Sequence, residues 1–145
     1  MLTITVYGMP GPQGSKKLVG RDGKGRGILV ESSKKVKPWR QTVGAAAIEA
    51  MGGAGCGVMG PIAVDMIFTL PKPKNAPKRS TTYPSKKPDL SKLIRSTEDA
   101  LTDVGAIEDD ARIVCTWAQK VYPGEGTDSL PVPGVLIRIS SYPDK

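Results

Sequence analysis

The sequence predicts an α+β domain built on one mixed, mostly antiparallel sheet with two helices. Three observations carry this. Alternating apolar runs at 2–7, 62–70, 111–122 and 134–140 read as strands. Two segments with apolar residues at helical spacing open near Pro38 and at Asp89. Their order (strand, hairpin, helix, strand, helix, strand, strand) is not the strict alternation of a parallel sheet. A chain of 145 residues with 39% hydrophobic content suits a single domain with a real core, and no internal repeat or domain boundary interrupts it.

The elements follow in order. LTITVY, residues 2–7, alternates apolar and polar side chains as a first strand. GMPGPQGSKK is a Gly/Pro-rich loop, and LVGRDGKGRGILVES forms two short strands joined by a basic turn. The glycines of that turn lack the Gly-Lys-Ser/Thr order of a phosphate loop. The first helix opens near Pro38 and lines up Trp39, Val43, Ala46, Ala47 and Ala50 on one face. Gly52 and Gly53 stop it. In 62–70, Ile62, Val64, Met66 and Phe68 share one face, with Ala63, Asp65, Ile67 and Thr69 on the other. Five prolines then make 71–88 a long loop, a feature usually functional or disordered in a compact domain. The second helix starts with Asp89 as its N-cap and buries Leu90, Leu93, Ile94, Leu101 and Val104. After Gly105, the acidic turn Glu108-Asp109-Asp110 leads into the strand 111–122, and GVLIRIS closes the domain.

Composition excludes several chemistries. Without histidine there is no Ser-His or Cys-His nucleophile and no His-ligated zinc. Two cysteines cannot complete a structural zinc site; Cys115, inside an alternating run, is expected in the core, and a Cys56–Cys115 disulfide is not expected. No apolar run reaches the ~18 residues of a membrane span, and the first residues lack the pattern of a secretory signal. A cytoplasmic protein is therefore expected, with no membrane partner. Any catalysis must use carboxylates, lysines, arginines, hydroxyls or a metal held by oxygen.

The net charge of +7 is unevenly distributed. Residues 71–95 carry eight basic side chains and one acidic one; residues 96–145 carry four basic and nine acidic. A basic loop beside an acidic cluster points to a polyanion partner. The carboxylates that could carry chemistry are Asp89, Asp99, Asp109 and Asp110. Each also has a purely structural reading, as cap, solvated helix residue or turn. An antiparallel return of the chain can bring the strand start near a helix end.

KPDLSKLIRSTEDALTDVGAIEDDARIV, residues 87–114, resembles the signature region of the RusA family of Holliday junction resolvases. Asp89 matches the first aspartate of that pattern, Asp99-Ala100-Leu101 its middle element and Asp109-Asp110 its closing pair, 21 residues beyond Asp89. GMPGPQGSKK and LPKPK are similar to its N-terminal and central elements. The chain departs from the pattern at Ser91, where the family has a second aspartate, at Lys92, where it has asparagine, and at Arg95, where it has a lysine.

The resemblance implies a RusA-like fold and a Mg²⁺-dependent endonuclease that resolves four-way DNA junctions by paired symmetrical nicks, leaving 5′-phosphate and 3′-hydroxyl ends. Asp89, Asp110 and Asp109 are then the expected metal ligands. Arg95 is the expected electrostatic stabiliser, oriented by Asp99 four residues on. Lys16, Lys17, Lys72, Lys74, Lys78, Arg79, Lys86, Lys87 and Lys92 are the expected DNA contacts. Two matched cuts imply a homodimer. The rival reading is a non-catalytic or weakened nucleic-acid-binding relative of the same fold; it accommodates Ser91, but a purely non-catalytic module gives no reason for carboxylates beside a phosphate-binding surface.

Overall fold

The computed structural model describes residues 1–14, 16–21, 27–31 and 34–143, the two short strands within 16–31 by their backbone alone. The elements are β1 (Leu2–Tyr7), β2 (Lys16–Arg21), β3 (Gly27–Glu31), α1 (Val36–Met51), β4 (Ile62–Thr69), α2 (Leu90–Asp103), a 3-10 turn (Asp110–Arg112), β5 (Ile113–Val121) and β6 (Gly134–Ser141). β2 and β3 form the expected hairpin as a sheet of their own. The main sheet has the order β1-β6-β4-β5; β4 runs parallel to β5, and the other two pairings are antiparallel. The fold is α+β with a mixed, mostly antiparallel sheet. No helix among the described residues is long and apolar enough to cross a membrane.

Strand alternation decides which side chains meet the helices. Ile4, Val6, Val64, Met66, Phe68, Ile137 and Ile139 form one core with Trp39, Val43 and Ala47 of α1 and Leu93, Ala100 and Leu101 of α2. α1 begins at Val36, two residues before Pro38, which therefore sits in the first turn, where its missing N–H costs no hydrogen bond. The fully buried stripe ends at Ala47, with Met51 partly buried against the core, and Ala50, expected on the same face, is exposed. Gly52 closes the helix at φ 77°, its N–H donating to the Glu49 carbonyl. Gly11 passes so close to α1 that a Cβ there would lie 2.3 Å from the Lys35 carbonyl oxygen.

Both faces of β4 are covered towards its end. Ile67 and Thr69 are buried along with the core face, and the Leu130 N–H donates to Thr69 Oγ1 at 2.9 Å. β5 differs: it is one of the two edge strands and, unlike β1, has side chains on both faces largely uncovered. Its Val114 and Trp117 are more than half exposed, and Cys115, expected in the core, is exposed as well. The alternation of 111–122 reports a strand, but an edge strand has a neighbour on one side only and leaves side chains uncovered.

Candidate active site

The candidate carboxylates Asp89, Asp99 and Asp110 lie on or against α2, and small polar residues on its inner face hold it in place. Trp39 Nε1 donates to Thr97 Oγ1 at 3.1 Å, and Ser96 Oγ donates to the Gly11 carbonyl at 2.6 Å. Both hydroxyls are buried and satisfied, so the helix is fixed against α1 and against the segment after β1.

Asp89 occupies the N-cap position with extended backbone, yet its side chain caps nothing. Its carbonyl accepts from the Lys92 and Leu93 N–H groups. The carboxylate is half exposed, with Lys92 Nζ 3.8 Å away. The expected cap is therefore a positional one, and the carboxylate remains available to a ligand. Ser91 is exposed on the first turn.

A second acidic group lies at the other end of the helix. Thr102 Oγ1 donates to Asp110 Oδ1, and the same hydroxyl lies 3.1 Å from the Glu98 carbonyl oxygen. Burial raises the Asp99 carboxyl above its ordinary value; Arg40 opposes this, and the charge of Asp110 and a hydrogen bond with it raise it further. Glu98 is pushed up to about 7, first by burial, then by the charges of Asp110 and Asp99, with Arg95 opposing. Three carboxylates thus crowd one another at the last turns of α2. Arg95 is exposed nearby and, among the described residues, enters no ion pair within 4.0 Å. Arg40 also faces this group and pairs with Asp103 at 2.6 Å.

The structure brings Asp99 and Asp110 together and keeps Asp89 apart. Ten residues of helix separate Asp89 from Asp99, about 15 Å at 1.5 Å per residue. Within one chain Asp89 and Asp110 thus lie at opposite ends of α2. Asp109 is exposed, its carbonyl accepting from the Arg112 N–H. Among the described residues no group of three or more His, Cys, Asp or Glu side chains is placed to hold a metal ion. The donor set still suits magnesium, which keeps several waters and takes one or two carboxylates together with phosphate oxygens.

The basic loop 71–88 is held down at both ends. Lys72 pairs with Glu125 at 2.7 Å, donates to the Ser80 carbonyl and sits over the Tyr122 ring. In the free protein its charge is taken up within the fold. Glu125 Oε1 also accepts from the Thr82 N–H. Lys120 of β5 donates to the Lys86 carbonyl at 3.0 Å and to the Pro88 carbonyl at 2.9 Å. Lys74, Lys78, Arg79, Lys86, Lys87 and Lys92 are exposed. The side chains of Lys16 and Lys17 lie outside the described residues.

Sequence reasoning missed Glu98, Arg40, Lys120 and Glu125. Glu98 adjoins Asp99, but its importance arises from burial. The other three act through contacts 32 to 63 residues away in sequence, which no local spacing shows.

A family model described as endodeoxyribonuclease RusA matches residues 8–130. No curated protein matches the chain.

Proposed function

Because the chain belongs to the RusA endodeoxyribonuclease family, whose members cut branched DNA at Holliday junctions, we propose that it is itself an active, Mg²⁺-dependent enzyme of that kind, making paired nicks across a four-way junction. The observation that carries this reading is the family match over residues 8–130, supported by Asp110 held on α2 by Thr102 beside Asp99 and close in sequence to an exposed basic loop. Adjacent carboxylates repel one another and phosphate alike unless a cation joins them. Asp110 and Asp99 would hold the ion, with Glu98 accepting from its coordinated waters. A divalent cation held there would supply a water of lowered pKa and neutralise the phosphate. Arg95 stabilises charge developing on the phosphate oxygens, and its planar fork offers two donors in one direction. The exposed lysines of the loop hold the strand by its phosphates.

Asp89 enters through a second copy. α2 and β5 span the same two ends of the domain: Asp110 opens the 3-10 turn that leads into β5, and Lys120, near the end of β5, holds the Pro88 carbonyl next to Asp89. Among the described residues no strand pairs with the outer edge of β5. A twofold copy set antiparallel along that edge brings Asp89 of one protomer toward Asp110 of the other. The two sites so formed match the approximate twofold symmetry of a junction.

The rival reading, a non-catalytic DNA-binding relative, draws on Ser91 and on the separation of Asp89 from Asp110 within one chain. Incubating a synthetic four-way junction with protein and Mg²⁺, with and without chelator, separates the two. Cleavage that chelator abolishes supports the enzyme; binding without cleavage at any Mg²⁺ concentration supports the rival.

A further inference from the structure

The segment after β1, the ends of the basic loop and the first turn of α2 enclose a cleft of about 740 Å³. That lies within the ~300–1,000 Å³ of small-ligand sites. Its walls are apolar, with Met9, Pro10, Pro12, Leu70, Pro84 and Tyr122 among the lining residues. Lys35, Lys86, Lys87 and Lys92 also line it, all four exposed, against the single carboxylate of Asp89. Among the described residues only Lys92 of these four lies within 4.0 Å of a carboxylate, at 3.8 Å. Both walls are fixed. The Gln13 N–H donates to the Lys92 carbonyl at 2.9 Å on one side, and Lys120 holds the Lys86 and Pro88 carbonyls on the other. The cleft is thus formed before any ligand arrives, and binding need not order it.

Apolar walls rimmed by cations suit a base still attached to its phosphates. We infer that this cleft receives a single unstacked nucleotide from the strand that turns at a DNA branch point, and that it thereby selects branched over linear DNA. The inference rests on the nuclease reading and deepens it. A base inside linear duplex must break its pair and its stack before entering, whereas one at a branch point gives up less. The four lysines hold the flanking phosphates in either case, so they contribute affinity without discrimination. The apolar walls contribute only when a base is present, by taking its faces out of water.

The test uses four-way junctions carrying 2-aminopurine, whose fluorescence rises on unstacking, either at the branch nucleotides or well inside an arm. Binding is followed by anisotropy in the same samples without Mg²⁺. The expected result is a several-fold rise at one branch position and none in the arm. Met9→Glu, a change at a half-exposed lining residue, should remove the rise and reduce the preference for junction over linear duplex several-fold. A junction that binds fully with 2-aminopurine silent at every branch position, or rising equally in the arm, overturns the cleft assignment and leaves the nuclease reading standing. Equal affinity for junction and linear duplex in the wild type overturns both.

Discussion

Replacing Glu98 by Gln should stabilise the free protein, increasingly so as pH rises. Glu98 is pushed up to about 7 from 4.5 by burial and by the charges of Asp110 and Asp99. The sign follows from proton counting. Between these two pH values the folded state binds more protons than the unfolded one, so stability falls as pH rises across the window. Below pH 4.5 the side chain is neutral in both states and the variant gains nothing from lost charge. At about 1.4 kcal/mol per unit, the whole displacement corresponds to roughly 3 kcal/mol. Glu98 is only half buried, and solvent screening reduces the expected gain to about 1–2 kcal/mol above pH 7. Urea unfolding of wild type and Glu98→Gln at pH 4.5, 6 and 8, without divalent ions, measures it. The difference between the two proteins should widen with pH, and added Mg²⁺ should narrow it by stabilising the wild type. Parallel stability curves across the whole range would show that Glu98 titrates as an ordinary carboxylate, and the crowding argument would fail with it.

Other substitutions test separate parts of the account. Asp110→Asn should lower Mg²⁺-dependent cleavage by more than about 100-fold, beyond the usual cost of losing an outer-shell partner, while junction binding is kept or tightened; gel-shift and cleavage assays on one preparation read both. Lys86→Ala with Lys87→Ala should reduce the log–log salt slope of DNA affinity by about 1–2, since each lost phosphate contact removes close to one counterion; an unchanged slope would assign both lysines to bulk solvent. Glu125→Gln removes the ion-pair partner of Lys72 and weakens a clamp on the loop, so limited proteolysis should cut within 71–88 faster than in wild type, at neutral pH and with α2 intact. Ser91→Asp should lower the Mg²⁺ concentration for half-maximal cleavage if residue 91 faces the metal; an unshifted midpoint at unchanged rate would remove that position from the site.

The fold was legible because its signals are local. Ile62, Val64, Met66 and Phe68 alternate as a strand must, and Leu93 and Leu101 recur as a buried helix face must. What alternation does not carry is a neighbour on the far side, so the same pattern in 113–121 could not distinguish a covered strand from an edge, and Cys115 turned out exposed. The site was legible in residue type and partly in place. Asp99 and Asp110 meet because the chain reverses after Gly105, a turn the sequence marks. The distance from Asp89 to Asp110 depends on helix length and on the direction of return, and 14 residues of α2 hold the two apart. The roles of Lys72 and Lys120 were hidden for a different reason. Both read as ordinary cations until Glu125 and the Pro88 carbonyl, distant in sequence, are seen to take up their charge.

Mapping of nicks on a four-way junction end-labelled on each strand in turn tests the central claim most directly. The account predicts that Mg²⁺ produces two nicks at symmetry-related positions on opposing strands, with 5′-phosphate and 3′-hydroxyl ends, and that a linear duplex of the same sequence stays intact. Equal cutting of that duplex, or a bound junction left whole at every Mg²⁺ concentration, would contradict it.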